Sequence, residues 1–415
     1  MKLLLITNDL APSFNANSSI ADRLARTLHE RYGVEVSMLG LQTKAGQVYD
    51  FPTTALSNQY FYTQAIPSGL PFRQKLWQLM THPSVWPMFF RYRLKRHPLE
   101  GLYRRSIRRL LRQEPDIDCI LAVSEPTDIP CAMTSFKCGI PWISYRLDPW
   151  STNFQHHSDK RAREEEQAAD RSCAAVFVQP AVYQEYMSGV NTAPADKLYM
   201  AEFPNLVPLP EGEAGADWDR SKIHCAYVGQ LYPDIRDPSF MLRLFSALRD
   251  SGIVLHVIGD APGQAARWQS LLAENIVLHG RVPYAEAAAY MEAVDILVNL
   301  GNSVANQMPS KVIDYIAAGK PVLNLYKRED CPTLRYMERH PAALSVLESP
   351  SGPDLRTVDE VRKFCGQKRG CSVPFAEMAR IYRTCTPEYV AGQVYEVMRK
   401  ITADRFNKGD SCGKR

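Results

Sequence analysis

Lys311 and Asp314 stand three residues apart in PSKVIDYIAAGKPVLN, residues 309–324. On a helix that spacing makes their side chains neighbours. A helix is expected from Pro309 to Gly319, with Val312, Ile313, Ile316 and Ala317 facing inward and Lys311 and Asp314 on the opposite face. Lys311 then falls in the first turn, where the helix dipole disfavours a cation by about 0.3–1 kcal/mol, and a bound diphosphate reverses that preference. Asp314 is placed to accept hydrogen bonds from a ribose diol, as carboxylates do in nucleotide sites. The plainer alternative is an exposed Lys–Asp pair that contributes almost nothing.

A second segment invites an anion. The apolar run CAYVG opens into QLYPDIRDP before the helical pattern PSFMLRLFSALRDSG. Gly229 lets the backbone come close to a ligand, and Arg236 stands beside the unpaired amides of the helix start. Asp237 suits the N-cap and Pro238 the first helical position. The alternative here is an ordinary strand–turn–helix with a solvated Arg.

These groups need strands and helices to hold them. The 415 residues are 45% hydrophobic and 23% charged, which excludes a disordered tail, a coiled coil or a small stapled domain. At roughly 150 residues per domain, two domains are expected. Buried-strand runs alternate with helical patterns: residues 2–7, 34–39, 118–123, 141–146 and 174–179 in the first half, and 223–229, 254–260, 275–280, 295–301 and 321–326 in the second. That alternation predicts α/β domains with parallel sheets. The stretch FPNLVPLPEGEAGADWDR, 203–220, with its prolines and glycines, reads as an interdomain linker. The expected division is a domain at 1–205, a second at 206–385, a terminal helix at 386–405 and a disordered tail at 406–415.

The ordered series YVGQLYPD, LHVIGDAPG, NIVLHGRVPYAEAAAYMEAVDILVN and PSKVIDYIAAGKPVLN resembles the donor-binding half of GT-B glycosyltransferases similar to family 4, the glycosyl transferases group 1. It covers roughly 222–326, and MKLLLITNDLAPS with EFPNLV fits the other half. The resemblance implies the GT-B fold, α/β, with two Rossmann-like doubly wound parallel-sheet domains facing across a cleft. It implies an enzyme that moves a hexosyl-type sugar from a nucleotide diphosphate sugar, of UDP or GDP type, to the hydroxyl of a sugar or lipid-linked sugar acceptor. Retention of configuration and a place in cell-surface polysaccharide or glycolipid synthesis follow from the same resemblance. A nucleotide-sugar epimerase of this fold and a catalytically silent binding subunit are the alternatives.

Carried over residue by residue, the family's ribose carboxylate falls on Asp314, as Asp instead of Glu, and the first carboxylate of its E-x7-E pattern falls on Asn306. The common diphosphate Arg is Gln230 here, with Gly229 before it and Arg236 nearby, so Lys311 takes more of that task. Arg236 and Lys311 are thus the expected catalytic cations, stabilising the departing diphosphate. Arg281 and Val282 lie in the segment that reads the nucleobase through its backbone. The expected acceptor loop is APSFNANSS, which makes Asn15, Asn17 and Ser18 candidate acceptor contacts. YRLDPW resembles a turn that puts polar groups beside the scissile bond, so Asp148 is a further catalytic candidate, with Arg146 in support.

Charge is unevenly spread in a chain of net +4. Residues 91–112 hold nine Arg or Lys against the single acid Glu100, so the remainder is mildly acidic. They follow a segment with Trp77, Trp86, Phe89 and Phe90, and Tyr103, Ile107, Leu110 and Leu111 form one apolar stripe. Aromatic residues beside dense Arg make 71–112 a candidate contact for an anionic membrane surface. The alternative is a core-packed helix with a solvated basic back, and no nucleic-acid module accompanies the charge. Ten cysteines without a C-x-x-C pair fit a reducing compartment, and no apolar run reaches the roughly 20 residues of a spanning helix. A cytoplasmic protein, at most peripheral on the inner face of a membrane, is expected. Asp116 to Asp118 reads as a loop, and His156 with His157 lacks partners at metal spacing, so neither a metal nor another cofactor is expected.

Overall fold

The computed structural model describes residues 1–9, 16–42, 55–59, 97, 99–124, 128–136, 138–153, 160–212, 214, 218–260 and 265–412. The chain forms two compact units, Met1–Pro204 with Pro387–Arg415, and Asn205–Thr386.

The first unit carries β1 (Lys2–Asp9), α1 (Ala16–Tyr32), β2 (Glu35–Gln42), β3 (Ala55–Gln59), α2 (Glu100–Gln113), β4 (Cys119–Ser124), α3 (Asp128–Ser135), β5 (Trp142–Arg146), α4 (Lys160–Ser172), β6 (Ala175–Val178), α5 (Pro180–Met187) and β7 (Leu198–Met200). Its seven strands are parallel in the order β3-β2-β1-β4-β5-β6-β7. Every residue of β5 and β6 is buried, as expected of strands covered on both faces.

Helix α2 settles one alternative. Tyr103, Ile107 and Leu110 pack into the core of the first unit, and Arg105, Arg108, Arg109 and Arg112 face outward. The apolar stripe is therefore spent on the core, and what α2 exposes is its basic back. Residues 71–96, with the four aromatic residues, lie outside the described residues.

The second unit carries β8 (Ile223–Val228), α6 (Ser239–Ala247), β9 (Ile253–Ile258), α7 (Ala265–Trp268), β10 (Ile276–Gly280), α8 (Tyr284–Ala293), β11 (Ile296–Leu300), α9 (Lys311–Ala318), β12 (Val322–Tyr326), α10 (Leu334–Met337), β13 (Ala343–Leu347), α11 (Leu355–Lys368) and α12 (Phe375–Ile381). Six parallel strands run in the order β10-β9-β8-β11-β12-β13. Both sheets are doubly wound: strand order reverses between β1 and β4 in one, and between β8 and β11 in the other. In such sheets ligands bind outside the carboxyl ends of the strands at that reversal.

The division between the two units falls at Pro204/Asn205, inside the proline-rich stretch, and the described residues just after it are packed. Leu206 and Leu209 are buried, and a Cβ on Gly212 would lie 2.9 Å from the Ala289 Cβ of α8. The last helix, α13 (Pro387–Cys412), belongs to the first unit. Val390, Val394 and Met398 are buried, and Tyr395 stacks on Tyr32 of α1 with ring centroids 4.3 Å apart. It continues past 405 to Cys412, because 402–412 contain no proline, the single Gly409 costs only about 1 kcal/mol and extending a formed helix costs little.

Candidate functional site

Gly229, Gly259 and Gly280 stand at the carboxyl ends of three adjacent strands, β8, β9 and β10. The Gly229 N–H donates to the Ile258 carbonyl at 2.9 Å, and that of Gly259 to the Gly280 carbonyl at 2.8 Å. A Cβ on Gly259 would collide with the Gly229 carbonyl oxygen, so only glycine permits this approach. The result is a sheet edge where backbone, not side chain, faces outward.

Arg236 lies across the β8/β11 reversal. Its Nε donates to Asn302 Oδ1 at 3.0 Å, and Asn302 Nδ2 donates to the Gln307 carbonyl at 2.8 Å. The guanidinium also sits over the Tyr232 ring, 5.9 Å from its centroid, and NH1 reaches the Gln230 carbonyl at 3.5 Å. Asn302 is buried and Arg236 half-buried, so a fixed amide aims a cation that remains partly accessible. The Gln230 side chain is exposed and accepts from the Tyr232 hydroxyl at 2.7 Å. The helix beyond starts one residue later than expected: Pro238 is the N-cap, and Asp237 Oδ1 accepts from the Ser239 N–H at 2.9 Å.

Helix α9 brings the second pair. Lys311 Nζ donates to Asp314 Oδ2 at 2.9 Å. Asp314 is only 8% exposed, so this is a largely buried carboxylate and not half of the exposed pair that is the plainer alternative. Lys311 also lies 4.7 Å from the centroid of Tyr284, the first residue of α8, which closely follows Arg281 and Val282. Tyr315 ties α9 to β8: its hydroxyl receives the Val228 N–H at 2.8 Å and donates to the Val228 carbonyl at 3.0 Å. Gly319, at φ 63°, ends the helix, with no room for a Cβ beside the Val373 carbonyl. Arg281 is exposed, Val282 and Asn306 are half-buried, and all three lie in loops beyond the carboxyl ends of β10 and β11.

Asn302, Tyr284 and Tyr315 are contributions that sequence reasoning does not single out. Asn302 closely follows the strand run DILVNLG, the place where a parallel sheet presents polar groups, and that position is the available signal.

In the first unit, Asp148 is half-buried just after β5. Arg146 does not support it as a site residue. It is fully buried, donating to Glu166 Oε1 at 3.1 Å, to Asp170 and to the Tyr186 hydroxyl at 2.8 Å. This is a structural strut joining β5, α4 and α5. Ser18 is also fully buried, in α1, unlike an open loop contact. Asn17 is in α1 by its backbone, and Asn15 lies outside the described residues.

One further carboxyl stands at the strand ends of the second unit, without a signal in the sequence. Glu348, after β13, has burial pushing its pKa up to about 7, with Lys327 opposing and Asp237 reinforcing the shift. Lys327 Nζ lies 4.0 Å from it and donates to the Asp237 carbonyl at 3.3 Å. Among the described residues, His97, Cys131 and Glu165 have potential metal-ligating atoms within 4.8 Å of one another. Glu165 there already accepts from Arg161 at 3.0 Å and pairs with His97 at 2.9 Å. No helix among the described residues is long and apolar enough to cross a membrane.

Two Rossmann-like units with these sheet orders are the GT-B fold, which solved structures share. Residues 222–328 match the glycosyl transferases group 1 family, to which this stretch is similar. The sucrose-phosphate synthase of Thermosynechococcus elongatus is 13% identical, covering 97% of this chain and 100% of its own, with a TM-score of 0.68. HepE of Anabaena, in complex with UDP, is 11% identical over 96% of this chain and 100% of its own, at a TM-score of 0.62. A putative UDP-N-acetylglucosamine 2-epimerase of Listeria monocytogenes is 10% identical over 97% of each chain, at 0.59. No curated protein sequence matches the chain.

Proposed function

We propose that this protein is a glycosyltransferase that moves a sugar from a nucleotide diphosphate sugar of UDP or GDP type to an acceptor hydroxyl. The observation that carries this reading is the Arg236–Asn302 contact at the β8/β11 reversal, with Lys311 and Asp314 on α9. Arg236, Lys311 and the backbone amides beyond Gly229 neutralise the diphosphate. Asp314 accepts from the ribose diol, and the backbone at Arg281 and Val282 meets the base.

In the reaction, the bond from the anomeric carbon to the diphosphate breaks and the acceptor oxygen bonds to that carbon. The acceptor proton passes to the departing phosphate oxygen, on the same face of the sugar, which gives retention. The protein's contribution is to stabilise charge that grows on the leaving group, a term that donors aimed at developing charge supply effectively. Asn306 reaches the sugar hydroxyls, and Asp148 is the further catalytic candidate. Arg236 and Lys311 supply the positive charge, and no metal is invoked. A role in cell-surface polysaccharide or glycolipid synthesis, on the inner face of a membrane met through the exposed arginines of α2, belongs to the same proposal.

Incubating the protein with a panel of nucleotide sugars and a membrane lipid extract tests it. Nucleotide release that depends on the acceptor is the expected result. Isomerisation of the donor without acceptor, or tight binding without turnover, would overturn it.

A further inference from the structure

Three imidazoles lie in a hydrogen-bonded row across β8, β9 and β10. His224 Nε2 meets the Asp219 carbonyl at 3.0 Å, and His224 Nδ1 meets His256 Nε2 at 2.9 Å. His256 Nδ1 meets His279 Nε2 at 2.9 Å, and His279 Nδ1 meets the Tyr290 hydroxyl at 3.1 Å. Trp218 stacks on the first two rings, at centroid distances of 4.6 and 4.1 Å.

Elementary chemistry fixes the direction of this row. A carbonyl only accepts, so His224 carries its proton on Nε2, and its Nδ1, in the neutral ring, accepts. His256 must then donate from Nε2 and accept at Nδ1. His279 repeats the pattern, and Tyr290 donates at the end. With the rings neutral, all three are Nε2–H tautomers. Burial, with His279 and His224 beside it, pushes the His256 pKa down to about 3, and burial lowers that of His279 against the pull of Glu286. Among the described residues, Asp219 also interacts with His224, with Lys222 acting on Asp219 in turn, and Asp295 Oδ2 accepts from the His224 backbone N–H at 2.9 Å.

His279 directly precedes Gly280, and Tyr290 lies on α8, so the row ties the strand that enters the loop holding Arg281 and Val282 to the helix that leaves it. We propose that the His224–His256–His279–Tyr290 row positions this loop and thereby supports nucleotide binding. The second half of that statement rests on the donor-site reading above. An extra proton anywhere in the row reverses every hydrogen bond on its Tyr290 side. Tyr290 then turns from donor to acceptor, and the loop's anchor changes with it.

The test uses the full-length protein with isotope-labelled histidine ring nitrogens, and UDP and GDP as probes. At pH 7.5, ring-nitrogen spectra are expected to show the three rings as neutral Nε2–H forms. An Nδ1–H form at any of them overturns the row. His256→Phe removes both hydrogen bonds and is expected to raise amide exchange at 280–282 and weaken probe binding about fivefold. His256→Gln, which can still donate and accept, is expected to restore both. Unchanged exchange in His256→Phe overturns the positioning role, whatever the probes do. Faster exchange without any probe binding, in wild type as well, overturns the donor-site reading and leaves the positioning of the loop intact. If His256→Phe does not fold, Tyr290→Phe applies the same exchange test from the other end.

Discussion

Arg236 Nε and Asn302 Oδ1 meet at 3.0 Å across the place where the second sheet reverses its strand order. The contact joins the turn after β8 to the residues after β11, and Asn302 is itself held by the Gln307 carbonyl. Replacing Arg236 with Ala is expected to weaken UDP or GDP binding by about tenfold or more, the worth of a charge-assisted hydrogen bond. Asn302→Ala should weaken it less, because the cation remains but is no longer aimed. Titration calorimetry on both variants measures the difference.

Asp314→Ala and Lys311→Ala are each expected to reduce nucleotide affinity by about tenfold, with the circular dichroism spectrum unchanged. Affinity equal to wild type in both variants would remove α9 from the donor site.

Arg146→Met should leave nucleotide affinity alone and destabilise the first unit. Glu166 and Asp170 would lose their shared cation inside the protein, a loss worth about 3–5 kcal/mol when one partner of a buried ion pair is removed. Urea unfolding followed by tyrosine and tryptophan fluorescence reads it. A shift under about 1 kcal/mol, the value for a surface pair, would contradict the strut.

Stability should depend on pH in two opposing ways. Burial and the neighbouring imidazoles hold His256 at about 3, below its ordinary 6.5, so the stability present above pH 6.5 is lost as pH falls toward 3. Burial raises Glu348 to about 7 from 4.5, so its contribution is present below pH 4.5 and lost as pH rises through 7. Glu348→Gln is expected to flatten the second change and raise the melting temperature at about pH 8 relative to wild type. A melting temperature there no higher than wild type would contradict the buried carboxyl.

Gly259→Ala drives a methyl group into the Gly229 carbonyl oxygen, a backbone atom that cannot rotate away. Loss of nucleotide binding together with a lower melting temperature is expected. Calorimetry and a thermal melt check the two parts separately.

The central strands are legible in the sequence because β1, β4, β5, β8, β9 and β11 are near-continuous apolar runs buried on both faces. The edge strands β3, β7 and β13 are not, since ALSNQ and LYM have no such run and β13 is only partly buried. Lys311 and Asp314 are legible from helical spacing. Their burial is not, because it depends on Tyr284 and on α9 being held to β8 by Tyr315. Arg146 misleads for a related reason: its partners, Glu166, Asp170 and Tyr186, lie 20 to 40 residues away and meet it only through the packing of α4 and α5 on β5. Asn302 escapes notice because an Asn after a strand is common, and only Arg236 on the opposite side of the reversal gives it a task.

The terminal helix α13 gives the protein a schedule. Its stack of Tyr395 on Tyr32 joins residues at the two ends of the chain, and all of 205–386 is synthesised in between. During translation the first unit exists without its closing helix until the second has left the ribosome, a wait of the order of 10–40 s at about 5–20 residues per second. Over that interval the α1 surface around Tyr32 is uncovered, so a nascent chain stalled before residue 387 would expose it to chaperones while its second unit can already fold.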